Sequence, residues 1–285
     1  MARKYQALAA AVSAVVILGA AGCSSDSGGD KPAKGKDSAG AGAGPGGNTD
    51  GGDGKDDDGK DAGEQQTPNG VEKLSAKAIV DKAVAATEAA PTMRLVVPEG
   101  VDLTMDRKGN CAGTVTVTSP QEVLRKKDEV WVKPKDEAAY YASEEGKAFL
   151  AAVPGAKGKY MHGNKDASFS LGLLSLYCEF GDIGKNVKSN SAVKGGKSTV
   201  DGHDTVSVKV TSGKDAITLH VATEGKPYIL KAAQTKDGKV TEMLLSDFGK
   251  PFTPPATPPA AQTFDAAKAE EAMMGSAGSG LGGSS

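Results

Sequence analysis

Two runs of apolar–polar alternation limit this chain to a narrow set of architectures. In the first run, Val101, Leu103 and Met105 alternate with Asp102, Thr104 and Asp106, and Val115 and Val117 with Thr114, Thr116 and Thr118. Val123-Leu124 and Val130-Trp131-Val132 then flank the polar Lys126-Lys127-Asp128, which reads as a hairpin. In the second run, Val206, Val208 and Val210 alternate with Ser207, Lys209 and Thr211, and Ile217, Leu219 and Val221 with Thr218, His220 and Ala222. Tyr228 to Thr235 and Val240 to Leu245 follow, joined by Lys236-Asp237-Gly238-Lys239. Connections this short join antiparallel neighbours. Period-two alternation makes one sheet face apolar, and that face must be covered.

The cover comes from segments with helical spacing. Ser75 is an N-cap for a helix from Ala76 to about Ala89, with Ile79, Val80, Ala83, Val84 and Thr87 on one face and Pro91 as its stop. Between the two strand runs, from about Asp136 to Lys185, the spacing predicts two more helices. One carries Tyr140, Tyr141, Phe149 and Leu150. The other carries Phe169, Leu173, Leu176, Tyr177 and Phe180 after Asp166, which offers an N-cap.

The first residues address a compartment. Arg3 and Lys4 precede an uncharged run from Ala7 to Leu18, too short for the roughly 20 residues of a spanning helix. Leu18-Gly19-Ala20-Ala21-Gly22-Cys23 resembles a bacterial lipobox, with Ala20 where that pattern prefers Leu. The resemblance implies cleavage before Cys23 and a diacylglyceryl anchor on its thiol. The location expected is the outer face of the cytoplasmic membrane; the bland alternative is a secreted protein with an incidental cysteine. Residues 24–70 contain no Val, Ile, Leu, Met, Phe, Tyr or Trp and should form a disordered tether with a reach of ~35–40 Å. The expected division is 1–22 signal peptide, 23–70 lipidated cysteine and tether, 71–255 folded domain, and 256–285 a tail, Pro-rich then Gly/Ser-rich. Within that tail, Phe264 to Met274 has a short helix-like pattern.

Two cysteines remain, Cys111 and Cys178. In an oxidising compartment an even pair reads as a disulfide, here closing a loop of roughly 68 residues and worth ~4 kcal/mol in the chain-entropy model. Two buried free thiols are the competing reading. Neither cysteine has a Cys or His at metal-ligand spacing, so no metal and no cofactor is expected. The net charge of -2 supplies no basic field for nucleic acid. Gly42-Ala43-Gly44-Pro45-Gly46-Gly47 matches a dinucleotide fingerprint literally but lacks the flanking strand and helix. Asp56-Asp57-Asp58-Gly59 lacks the spaced ligands of a calcium loop. His162, His203 and His220 form no catalytic spacing, and no nucleophile elbow occurs, so an enzyme is not expected.

The order of these parts resembles the actinobacterial LppX/LprG-like lipoproteins, which share a LolA-like fold. It runs from lipidated cysteine and tether through helix Ser75–Ala89 and hairpin Glu129-Val130-Trp131-Val132-Lys133 to inserted helices and a second meander. In that meander stand Val200-Asp201-Gly202-His203-Asp204-Thr205-Val206, Gly225-Lys226-Pro227-Tyr228 and Ser246-Asp247-Phe248-Gly249. The resemblance covers about residues 71–255. It implies an α+β domain, a curved antiparallel half-barrel whose concave face is covered by helices, with an apolar cavity for lipid acyl chains. The candidate lining is Val115, Val117, Val206, Val208, Val210, Leu219 and Val221, small or medium side chains that leave room. The competing reading packs these valines in a filled core.

The function expected is an extracytoplasmic carrier of a lipid or other apolar ligand. The alternative is an envelope interaction protein with a filled core, its protein partner not named by the sequence.

Overall fold

The computed structural model describes residues 67–98, 100–179, 187, 189–212 and 215–279. The signal peptide, Cys23 and residues 24–66 of the tether, with both motif-like stretches in it, lie outside the described residues, as does Phe180.

Among the described residues twelve strands form one curved, unclosed sheet accompanied by five helices. Helix α1 (Ala76–Ala89) opens the chain, with Ser75 Oγ accepting from the Ala78 amide at 3.3 Å. The first meander is β1 (Thr92–Val97), β2 (Val101–Asp106), β3 (Asn110–Thr116), β4 (Pro120–Lys126) and β5 (Glu129–Pro134). Helices α2 (Glu137–Ala142) and α3 (Glu144–Ala152) precede β6 (Tyr160–Asn164), and α4 (Phe169–Leu176) follows it. Among the described residues the insertion therefore holds three helices and a strand where two helices are expected. Ser168, rather than Asp166, caps α4, its Oγ accepting from the Leu171 amide at 3.2 Å.

The second meander is β7 (Ala192–Val200), β8 (His203–Ser212), β9 (Asp215–Ala222), β10 (Ile229–Lys236) and β11 (Lys239–Ser246). Asp201-Gly202 and Asp237-Gly238 join β7 to β8 and β10 to β11. All four residues have positive φ, the geometry of a tight type I′ hairpin that Asp-Gly supplies without strain. The meanders meet where β1 pairs antiparallel with β11, Leu95 opposite Leu245.

The chain then returns to the far edge of the sheet. β12 (Thr263–Asp265) pairs with β6 in parallel, the only parallel pairing among the described strands, and α5 (Ala266–Ser279) follows it. Sequence composition marks 256–285 as a tail, because Pro and Gly dominate its two ends. The few residues between them carry Phe264 and an alanine-rich helix, enough to pair and pack. At the other boundary, Thr67–Gly70 lie along β9 and the residues after it, with the Gly225 amide donating to Thr67 O and the Asn69 amide to Thr223 O.

One continuous core lies on one face of the sheet. Leu103, Met105, Val115, Val130, Val206, Val208, Leu219, Val221 and Ile229 are buried there with Ile79, Val80 and Ala83 of α1. α1 covers β7 to β10, while α4 lies over β5. Among the described residues no helix is long and apolar enough to cross a membrane.

Candidate functional site: an apolar cavity under the inserted helices

Beyond the core, toward the edge made by β5 and β6, the same sheet face is not filled. A cavity of about 420 Å³ opens there. Its floor is sheet: Val117 just past β3, Gln121 on β4, Val132 and Pro134 on β5, and Met161 on β6. Val117 continues the alternation of Cys111 and Val115, and Val132 that of Val130. The floor is thus the core face carried past the point where α1 covers it.

The walls and roof are helices. Tyr140 and Tyr141 come from α2, Phe149 from α3, Phe169, Leu173 and Leu174 from α4, and Ala269, Met273 and Met274 from α5, with Phe264 from β12. The aromatic wall is continuous. Tyr140 meets Phe149 edge-on at 6.4 Å between centroids, and Phe149 meets Phe264 at 6.0 Å. Gly146 makes this wall, since a side-chain carbon there would come within 2.0 Å of the Tyr140 carbonyl. Its absence lets α3 fold tightly back on α2.

Polar groups at the cavity are mostly satisfied within the protein. Glu270 on α5 accepts from the Phe169 amide at 3.0 Å and from Ser170 Oγ at 3.5 Å. A carboxylate at the start of α4 also suits the positive end of that helix. Glu145 accepts from Thr118 Oγ1 at 3.1 Å. Burial, and next the negative Glu145, push the Tyr140 hydroxyl up to about 12, and burial also raises Tyr141. Both tyrosines stay neutral at physiological pH. The tyrosine rings themselves therefore add no charge, while Glu145, Lys133, Lys159 and Glu270 also line the cavity.

α4, the helix over β5, is fixed at its C-terminal end. Cys178 is joined to Cys111 of β3 by a disulfide, with Cα atoms 5.7 Å apart. Beside it the buried Arg125 guanidinium donates to Glu179 at 2.8 Å and to Ser175 O at 3.2 Å. A buried cation with this many acceptors is compensated.

Of the seven strand positions read from the sequence as candidate lining, the structure places Val117 in the cavity, 43% exposed. Val115, Val206, Val208, Val210, Leu219 and Val221 are each at most 4% exposed, packed in the core, and none of them lines the cavity. The physical reason for the second meander is α1, which sits directly on β7 to β10 and leaves no gap. Helical residues supply most of the lining instead. Tyr140, Phe149 and Leu173 stand out in the sequence only as helical periodicity, which does not separate core from cavity. Phe169 and Met274 carry a sharper signal, large apolar groups at helix ends where solvent is expected.

The remaining sequence features lie elsewhere. Trp131 is 7% exposed on the opposite sheet face, stacked on His162 at 4.6 Å. His162 pairs with Glu129 at 2.8 Å. His220 shares a hydrogen bond with Ser198 Oγ at 2.9 Å, and none of the three His residues lines the cavity. Among the described residues no three His, Cys, Asp or Glu side chains gather as a metal site.

No family model matches the chain, and no curated protein matches it. Solved structures do. The chain is similar in structure to the lipoprotein LppX of Mycobacterium tuberculosis. There the TM-score is 0.43 at 11% identity, covering 63% of this chain and 98% of that one. It is similar also to LprF of Mycobacterium bovis, with TM-score 0.43 and 16% identity over 67% of this chain and 98% of that one. A third is an uncharacterized conserved protein of Thermus thermophilus, with TM-score 0.34 and 12% identity over 67% of this chain and 99% of that one.

Proposed function

We propose that this protein is a lipid-anchored carrier that binds one apolar chain of a lipid in the cavity between the sheet and the inserted helices. The observation that supports it is the cavity: an apolar space of about 420 Å³ whose aromatic and aliphatic walls leave few unpaired polar groups. Sites for small molecules occupy roughly 300–1,000 Å³ and are lined in this way. An apolar space of this size and shape suits a single acyl chain. Each buried CH₂ contributes ~0.8 kcal/mol, so burial of the chain supplies the affinity. The anchor on Cys23, the outer face of the cytoplasmic membrane as location, and the absence of catalysis belong to the same reading.

The test is to fill the space. Leu173 is half-buried and faces the cavity. Leu173→Trp adds bulk there without touching the core. Uptake of a fluorescent long-chain fatty acid should fall by ~10-fold or more, the equivalent of losing a few buried methylenes. Thermal stability should be unchanged. Uptake equal to that of the unsubstituted protein would place the ligand elsewhere, and absence of uptake by both would favour an interaction protein without cargo.

A further inference from the structure

The apolar side chains that this domain exposes are not scattered. Among the described residues seven large apolar side chains are exposed: Val117, Phe169, Leu176, Val193, Val240, Met273 and Met274. Four of these, Val117, Phe169, Met273 and Met274, line the same cavity. Phe169 is 77% exposed and Met274 67%. Single exposed apolar residues need no explanation, but a group that rims the mouth of an apolar cavity marks an interaction surface.

We propose that this rim is a docking surface for a lipid bilayer, with Phe169 and Met274 entering the acyl region so that the cavity opens directly onto its source of lipid. This rests on the reading of the cavity as a lipid site. Three observations favour a membrane as the occupant. The rim is continuous with the cavity walls, so a chain leaving a bilayer between Phe169 and Met274 stays in contact with apolar groups throughout its transfer. The acidic groups at the mouth are hydrogen-bonded within the protein, Glu270 to Phe169 N and Ser170 Oγ and Glu145 to Thr118 Oγ1. Lys133 and Lys159 line the same cavity, so charges of both signs stand there in equal number, a balance that an anionic bilayer does not repel. Finally, Thr67 is separated from Cys23 by residues 24–66, a Gly- and Asp-rich segment. A segment of that length is long enough to leave the bilayer of an anchored chain within reach of the domain.

Two measurements test this on the full chain reconstituted into vesicles of phosphatidylcholine and phosphatidylglycerol. In the first, Phe169→Trp adds an indole at the rim. Trp131 is buried against His162 and supplies the background measured in the unsubstituted protein. The added emission should be blue-shifted and quenched when the vesicle lipids carry brominated acyl chains. Emission typical of water, indifferent to bromination, overturns the proposal.

In the second, Phe169→Ser combined with Met274→Ser should slow extraction of a fluorescent phospholipid from vesicles by ~10-fold or more, since a buried Phe side chain alone is worth about that factor. Because both side chains also line the cavity, uptake of a water-soluble short-chain fluorescent fatty acid is measured alongside and should fall by a clearly smaller factor than extraction from vesicles; equal factors overturn the proposal. Extraction from vesicles at the unsubstituted rate overturns the proposal. If the unsubstituted protein takes up no soluble probe, the carrier reading fails instead, and the quenching result still decides whether the rim meets lipid.

Discussion

Thr87 shows what single polar groups do for this fold. It is 1% exposed on the buried face of α1, and its Oγ1 accepts from the Ile229 amide at 3.0 Å, just where β10 begins. A buried amide that loses its acceptor costs ~1–3 kcal/mol. Thr87→Val keeps the shape and removes the acceptor, so denaturant unfolding should show a loss of that size. Thr87→Ser should recover most of it. His220 couples the fold to pH. Burial, then the neighbouring Lys231, holds its pKa below 6.5. The unfolded chain therefore takes up a proton more readily than the folded one. Stability from this group is fully present above pH 6.5 and is lost as pH falls through the lower folded value. His220→Gln should flatten the stability profile on that side. An unchanged profile would mean another group carries it. The sequence marks Thr87 and His220 by face alone, one apolar and one polar, because their partners Ile229 and Ser198 are distant in the chain.

At the scale of elements, helix α4 decides whether the roof can move. Its C-terminal end is tied by the disulfide and by Arg125; at its N-terminal end Glu270 of α5 accepts from the Phe169 amide and Leu171 is buried in the core. Replacing both Cys111 and Cys178 with Ala removes a cross-link spanning 67 residues of sequence, worth ~4 kcal/mol in the chain-entropy model. Thermal unfolding should drop accordingly. Hydrogen exchange should quicken in α4 before it does in α1, since α1 has no share in that tie. Equal acceleration in both helices would contradict an α4-specific role. The same element shows where sequence reading stops. Periodicity identifies α1, its cap Ser75 and its buried face, because a single amphipathic stripe has one solution. It also identifies β2 to β5 and β8 to β11, the Asp237-Gly238 turn and the sheet's apolar face, but not β1, β6, β7 or β12. It does not say which helix covers which strands. That pairing leaves Val206, Val208, Val210, Leu219 and Val221 under α1 in a filled core, and Val117 in an open space.

At the largest scale the described residues form one sheet with two kinds of cover. Over β7 to β10 the cover is a single helix packed directly on small aliphatic side chains. Over β3 to β6 the described cover is α2 to α5; Tyr140 of α2, Phe149 of α3 and Phe264 of β12 touch in sequence, and a gap lies beneath. Gly146 lets α3 fold back on α2, the disulfide ties the residues after α4 to the core face of β3, and Glu270 ties α5 to the start of α4. The C-terminal segment closes the arrangement: β12 extends the sheet by one parallel strand and places α5 across the mouth. This contribution is hard to foresee from composition, since Pro-rich and Gly-rich stretches surround the few residues that do the packing. The most direct test of the account is native mass spectrometry of the protein purified from membranes, compared with Leu173→Trp. The account predicts a bound lipid, or one bound acyl chain's mass, on the unsubstituted protein and a much smaller fraction on the variant. Ligand-free protein in both, even after incubation with lipid, would contradict it.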